Sequence, residues 1–407
     1  MSQPWSSDRW WVAPANYARE VREGMSLPTR ITLHDVTLRD GEQTPGVVFR
    51  LADKVRIARM LDDLGVLRIE AGMPATGAED ADAIREIVGL GLRARIFAFT
   101  RGVREDVERA IACGVHGLII EAPTGVPRLR YQYPHLTEEQ IIDNSVAACA
   151  RAKERGLEAV FFPMDGTRAD PAFFDRLIEA VARRGEPDAI TLVDTHACTL
   201  PQAVAWLVRR IKEQTGLRVE IHTHTDLGMG VANSLAAVSA GAEVIHCAVN
   251  GIGERTGNAP LEEVVVAAES LLGIPTGVEW KKLPQASELV HELSRFPVPY
   301  NKPVVGLRAF SRESGSAIEL TRDFPLALFC VNPAALGRQA ECLLGKKSSV
   351  QSVHLKASQL GVGPLDEEAA AEALRRVKAR ATETKELVSD ADFRDILAKV
   401  RRGHQPP

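Results

Sequence analysis

Between residues 31 and 272, short β-branched or apolar runs alternate with amphipathic stretches, and this alternation constrains the fold more than any other feature of the chain. The strand candidates are ITLHDV (31–36), VLRIEA (66–71), RARIFAF (93–99), GLIIEA (117–122), EAVFFPM (158–164), AITLVD (189–194), RVEIHTH (218–224) and EVIHCAV (243–249). Between them, ADKVRIARMLDDLG, TEEQIIDNSVAACARAKERG and PQAVAWLVRRIKEQTG place apolar residues at the three-to-four spacing of a helix with one buried face. Gly65, Gly156, Gly216 and Gly241 follow such stretches, where a helix needs a left-handed C-cap. Regular strand–helix alternation predicts a parallel sheet. Eight such units match a (β/α)8 TIM barrel, which takes about 250 residues. An open doubly wound sheet is the alternative. Polar residues close nearly every strand candidate: Arg39-Asp40, Thr100-Arg101, Asp165, Asp194-Thr195, His222 and His224. A barrel carries its chemistry at that face, so the pattern favours the barrel.

Outside this rhythm, residues 1–30 are Trp-rich and Pro-punctuated and read as an arm over the body or over a partner subunit. Residues 31–275 form the predicted barrel. Residues 276–407 are Pro-rich and irregular at first (FPVPYNKPVVG), then helical over 366–402, and read as an appendage of helices and loops, a lid or dimerisation element expected to cover the barrel mouth of its own chain or of a partner subunit. Hydrophobic residues at 45% and charged residues at 26% suit an ordinary globular chain. A net charge of −4 argues against a large basic nucleic-acid face. Six scattered cysteines with no CxxC pair fit neither a disulfide framework nor a zinc finger, and suit a reducing cytoplasm. No apolar run approaches the roughly 20 residues of a membrane helix. The N-terminal stretch has no apolar core and carries acids, unlike a signal peptide.

Three segments carry candidate chemistry. In HTH (222–224), residues two apart in a strand share a face, so His222 and His224 point together. They are either metal ligands or a hydrogen-bonded core pair. In TLRDGEQTPG (37–46), Asp40 offers a hard oxygen ligand and Arg39 a cation aimed at an anion or enolate, with Glu42 and Gln43 fixing the loop. The plain reading is a solvated polar loop, but beside an HxH pair Asp40 supplies the missing carboxylate. NGIGERTGN (250–258) lacks the glycine spacing of a dinucleotide fingerprint. It is either a glycine-rich turn or a loop that closes over the site and lends the Asn258 side-chain oxygen to a metal.

LRDGEQTPG, HTHTDLG and NGIGERTGN, in this order, resemble the motifs of the DRE-TIM metallolyase superfamily, the metal-dependent acyl-CoA condensing enzymes that include 2-isopropylmalate, homocitrate and citramalate synthases. DGTR (165–168) and DT (194–195) fall where that family has its own. AFSRESG (309–315) and GKKSS (345–349) extend the similarity into the appendage. The resemblance implies one divalent ion, Mg, Mn, Zn or Co, on Asp40, His222, His224 and Asn258. It implies Arg39 beside an enolate oxygen and Thr195 on the carboxylate of a 2-oxo acid. Arg39, Glu254 and His196 are the catalytic candidates; Thr195, Arg39, Gln43 and Glu313 are those for binding substrate. Glu254-Arg255 stand where the lyase branch carries a cysteine, which favours the synthase branch. The partners expected are an acyl-CoA, a 2-oxo acid and a second copy of the chain, with no nucleic acid and no membrane.

The chain departs from the family's pattern in its proton-transfer residues. Met164 stands at the family's glutamate position, and Ser316-Ala317 replace its Ile-His. Thr225 replaces an asparagine, and His196 and Cys198 occupy positions that are usually small or apolar. Since enolate formation needs a base, His196 either serves as that base or merely shapes the pocket for a different 2-oxo acid, and Glu121, Glu70 and Cys198 are the other base candidates. The activity expected is condensation of acetyl-CoA with a 2-oxo acid, giving a 2-hydroxy-2-carboxy acid and free CoA. A metal-dependent aldolase without CoA and a non-catalytic barrel are the competing readings.

Overall fold

The computed structural model of the chain describes residues 3–403. The expected arm and appendage extend to residues 1–2 and 404–407, which lie outside the described residues. Eight strands pair in parallel, each with the next: β1 (Thr32–Asp35), β2 (Arg68–Glu70), β3 (Arg95–Arg101), β4 (Gly117–Pro123), β5 (Glu158–Met164), β6 (Ala189–Asp194), β7 (Arg218–Thr223) and β8 (Val244–Cys247). β8 closes on β1, with Thr32 opposite Val244 and Asp35 opposite Cys247. β1 therefore has a neighbour on both sides, and the open sheet is excluded.

The connecting helices are α1 (Leu51–Leu64), α2 (Ala78–Gly89), α3 (Arg104–Ile111), α4 (Glu138–Glu154), α5 (Pro171–Ala180), α6 (Pro201–Thr215), α7 (Gly230–Ser239) and α8 (Leu261–Ala267). Each turns an apolar stripe inward. α1 buries Ile57, Ala58, Leu61 and Leu64 and ends at Gly65, whose φ of 100° only glycine adopts cheaply. α4 starts at a capping box in which Thr137 and Gln140 satisfy each other's backbone amides.

The barrel interior is divided by chemistry. One part is an apolar cluster of Phe97, Phe99, Ile119, Val160, Phe162, Ala189 and Val193. The other is a sealed polar layer. Arg68 Nη1 donates to Glu220 Oε1 at 2.7 Å, Arg218 Nη2 reaches the same oxygen at 3.0 Å, and His246 Nε2 lies 2.9 Å from Glu220 Oε2. His34 stacks on His246 at 4.3 Å between ring centroids and places Nε2 2.8 Å from Glu70 Oε2. Burial, reinforced by Arg68, holds the His34 imidazole well below its ordinary pKa. Burial pushes His246 down to about 4. Both rings are therefore neutral at pH 7, while burial's upward pull on Glu220 is outweighed by Arg68, His246 and Arg218.

The chain divides into two compact units, Pro14–Val298 and a second made of the residues up to Ala13 with those from Pro299 onward. These boundaries lie at different residues from those read in the sequence. Tyr17 Oη donates to Ser270 O at 2.8 Å and Arg22 Nη2 to Leu272 O at 3.0 Å, so the second half of the N-terminal arm belongs to the barrel unit. α9 (Leu283–Ser294) belongs there too, because Asn250 Nδ2 donates to Ser287 O at 2.9 Å. In the second unit, two short parallel strands, β9 (Ser311–Arg312) and β10 (Glu341–Cys342), accompany α10 (Val350–Gln359), α11 (Glu367–Thr384) and α12 (Asp390–Gly403). Val353, Val377, Phe393 and Leu397 give this unit its own core. Among the described residues no helix is long and apolar enough to cross a membrane.

Candidate active site

The loop after β1 starts with a local lock. Asp35 accepts both the Thr37 amide and the Thr37 hydroxyl at 2.9 Å, which turns the chain so that Arg39 and Asp40 enter the barrel mouth. At the end of β7, His222 and His224 present their Nε2 atoms to each other at 3.3 Å. Asp40 Oδ2 lies 3.6 Å from His222 Nε2 and 3.7 Å from His224 Nε2. All three side chains are buried. The loop after β8 completes the ring: Asn258 pairs through its backbone with His224 and donates Nδ2 to Asp40 Oδ1 at 2.9 Å. Asn258 Oδ1 is buried without a hydrogen-bond partner among the described residues.

Arg39 packs across this cluster. Its guanidinium lies 4.1 Å from the Phe99 ring centroid, its Nε pairs with Glu70, and its Nη1 donates to Asp40 Oδ2 at 3.0 Å and to Gln43 Oε1 at 3.2 Å. Its Nη2 is buried and has no hydrogen-bond partner among the described residues. Burial pulls the Asp40 carboxyl up, but Arg39, His224, His222 and the Asn258 hydrogen bond outweigh it and hold Asp40 well below the usual carboxylate range. Desolvation, with His224 next, pushes His222 far below an ordinary histidine; desolvation lowers His224 as well. The cluster is thus one carboxylate facing two neutral imidazoles. That is the protonation state a divalent cation requires of its ligands. Donor atoms 3.3 to 3.7 Å apart can share one ion with bonds of about 2.1 Å, so these residues fit the group.

The other candidates stand around this centre. Thr195 is buried; its Oγ1 accepts the Asp165 amide at 2.9 Å, leaving the hydroxyl proton free to donate. His196 turns toward Asp165, at 4.0 Å, and burial with nearby Arg168 lowers its pKa. Glu254 is half exposed and pairs with Arg255, which also bonds Asp226 and the Thr195 carbonyl. Glu313 is in the second unit, where its Oε1 accepts the Lys347 amide at 2.7 Å. There the two appendage motifs lock together: Gly315 N donates to Lys347 O at 3.2 Å and Ser349 Oγ to Gly315 O at 3.3 Å. Asp194 accepts the Thr167 and Thr199 hydroxyls at 2.9 Å and braces its loop.

The sequence reading missed the polar layer below the site. His34, Glu70 and His246 place three donor atoms within 4.8 Å of one another, and Glu70 also anchors Arg39. The available signal was the alternation of charge with apolar residues in RIE (68–70) and RVEIH (218–222), which a two-residue period turns to one face.

A family profile described as HMGL-like matches residues 30–290. Over 94% of its length the chain is 39% identical to a homocitrate synthase of Methanopyrus kandleri, covering 96% of that protein. It is 36% identical to a 2-isopropylmalate synthase of Methanocaldococcus jannaschii over 94% of its own length and 74% of the relative's. It is 40% identical to a putative (R)-citramalate synthase of Archaeoglobus fulgidus over 91% and 75%. Among solved structures, the HMG-CoA lyase of Bacillus subtilis superposes with a TM-score of 0.60 at 20% identity, covering 68% of this chain and 97% of the lyase, a likeness of fold. With the profile matched across the barrel and these relatives matched along nearly the whole chain, the protein belongs to the HMGL-like (DRE-TIM) family.

Proposed function

We propose that this chain is an acyltransferase that condenses an acyl-CoA, acetyl-CoA first, with a 2-oxo acid, and that Asp40, His222, His224 and Asn258 hold the divalent ion it uses. The observation that carries the reading is the convergence of Asp40, His222 and His224 at 3.3 to 3.7 Å beside an arginine with one free donor. The lengthwise similarity to the homocitrate synthase supports the substrate classes. A cavity of about 460 Å³ opens beside Arg39 and Gln43, bounded by Gly72, Met73 and Thr76, with room for a thioester arm.

When bound, the ion supplies Lewis acidity toward a keto and a carboxylate oxygen. The chain's own residues do the rest. Arg39 Nη2 donates to the thioester oxygen as negative charge develops there, and Glu70 fixes the direction of that donor. The Thr195 hydroxyl donates to the carboxylate of the 2-oxo acid. Gln43 holds the opposite edge of Arg39. His196 and Glu254-Arg255 form the rim through which substrate enters. Hydrolysis of the product thioester releases CoA and a 2-hydroxy-2-carboxy acid.

The test is release of free CoA thiol from acetyl-CoA on adding glyoxylate, pyruvate, 2-oxoisovalerate or 2-oxoglutarate, with Mg, Mn, Zn or Co. Release that needs an oxo acid and stops on chelation is expected. Silence across the panel, with metal-dependent pyruvate release from a hydroxy acid instead, overturns the reading in favour of an aldolase.

A further inference from the structure

Condensation requires a group that accepts a proton from the acyl methyl, and the carboxylates at the barrel mouth are almost all committed elsewhere. Asp40 belongs to the donor cluster. Glu70 is held by Arg39 and His34, Asp165 by Arg168 at 2.8 and 2.7 Å, Asp194 by two threonines, and Asp226 by Arg255. Glu121 differs. It is partly buried at the end of β4, and among the described residues no hydrogen bond or ion pair engages its carboxylate.

Strand geometry fixes where it points. Successive residues of a strand face opposite sides, so Glu121 shares the inward face of Ile119, a member of the interior cluster. Its register partners are Arg101 on β3 and Phe162 on β5. The Phe162 ring meets His222 edge-on at 5.1 Å and Phe99 at 5.5 Å, and Phe99 carries the Arg39 guanidinium on its face. Glu121 therefore stands one strand over from the aromatic wall that backs both the donor cluster and Arg39.

We infer that Glu121 is the proton acceptor of this mouth, an inference that rests on the condensation reading above. The methyl C–H bond of the thioester breaks, its electron pair becoming the enolate and its proton passing to a Glu121 oxygen. The enolate carbon then bonds to the keto carbon of the 2-oxo acid. The keto oxygen becomes a hydroxyl by taking up a proton, which Glu121 returns, so the carboxylate ends as it began. The groups that bear on Glu121 are Arg39, Arg128 and Arg101, which favour its charge, and Glu254, which opposes it. Desolvation by burial outweighs the arginines and raises its pKa, making it a stronger base than an exposed glutamate once ionised.

Two measurements test this. The first compares wild type, Glu121→Gln and Glu121→Asp in CoA-thiol release from acetyl-CoA with the four oxo acids named above. Glu121→Gln is expected to lower kcat by about 10²- to 10⁴-fold, with KM for acetyl-CoA and metal content within a few-fold. The acid limb of the wild-type kcat profile should vanish with it. If the glutamine variant fails to fold, Glu121→Asp, which draws the charge back by one methylene, is expected to lose about tenfold or more. Either folded variant turning over within threefold of wild type overturns the inference. The second measurement needs no oxo acid: the infrared carboxylic-acid band present in wild type and absent from Glu121→Gln is followed against pH. A midpoint above the ordinary glutamate value of about 4.3 is expected, and one at or below it overturns the inference. A wild type that releases no thiol with any oxo acid yet shows the raised band defeats the condensation reading and supports the proton site.

Discussion

Asn258 donates its side-chain amide to Asp40, Nδ2 to Oδ1 at 2.9 Å, across 218 residues of sequence. The bond fastens the loop after β8 to the loop after β1. Gly253 N repeats the connection through Thr44 Oγ1 at 2.7 Å. The proposed donor set is therefore assembled by loop-to-loop bonds at the closure of the barrel, while β7 contributes only the imidazole pair.

Replacing Asp40 by Asn keeps the shape of that junction but removes the one negative charge facing His222 and His224. Bound metal should fall below one tenth of the wild-type content and thiol release by more than about 100-fold. His222→Ala should do the same. Elemental analysis after gel filtration checks both, and either variant retaining full metal would remove Asp40 or His222 from the ligand set.

The loop that presents Asn258 depends on Gly257. Its φ is +84°, and a Cβ there would lie 1.8 Å from the Gly251 carbonyl oxygen, which also accepts the Asn258 amide at 3.1 Å. Gly257→Ala should therefore displace Asn258, costing about 2 kcal/mol or more of stability and weakening metal retention. Gly156→Ala is the control. It also has a positive φ, +70°, but nothing lies within 4 Å of its Cβ position, so only the roughly 1 kcal/mol backbone cost is expected and metal content should not change. Equal behaviour of the two variants would count against a closing role for the 250–258 loop.

Much of the barrel was legible because its signals are local. Eight apolar runs, their glycine caps and the HxH pair each lie within a few residues of sequence. Asp40 was legible because it sits just beyond the strand candidate at 31–36, where a barrel presents its chemistry. The unit boundary was not legible, because it rests on contacts such as Asn250 with Ser287 that join distant segments. The polar layer escaped for the same reason. Arg68 and Glu220 are 152 residues apart, and each alone reads as the solvent side of a strand. Glu121 lies near the end of a strand candidate and is named only among other bases. What distinguishes it is the commitment of every neighbouring carboxylate, which appears only when all the partners are in place.

The Arg68–Glu220 pair offers a test of that layer. Both side chains are essentially buried, and Arg68 makes two bonds to the carboxylate at 2.7 and 3.3 Å. Arg68→Met leaves Glu220 with Arg218 and a neutral histidine, so a loss of about 3 to 5 kcal/mol is expected by chemical denaturation. Adding Glu220→Gln should return part of it, because the orphaned charge is then gone. Arg85, paired with Asp82 on the surface at 2.7 Å, is the contrast, and Arg85→Met should stay within about 0.5 kcal/mol. A double variant no more stable than Arg68→Met alone would show that the charge of Glu220 is not what Arg68 compensates.

Asp35, fully buried at the end of β1, has its pKa pushed up to about 7 by burial, against the two Thr37 hydrogen bonds and with help from the charges of Glu70 and Glu262. The unfolded chain releases this proton near pH 3.8. Between these values the folded chain binds more protons than the unfolded one, so the free energy of unfolding falls as pH rises. Asp35's contribution is fully present below the unfolded value and has been lost once the pH passes the folded value, a change of up to a few kcal/mol. Asp35→Asn carries no proton and has no such slope, although it loses part of the bond to the Thr37 hydroxyl. The melting temperature of the variant minus that of wild type should therefore move in the variant's favour from pH 5 to pH 8. The other carboxylates titrate alike in both proteins and cancel in the difference. A difference that stays flat across this range would mean that Asp35 is not the group that stores the proton.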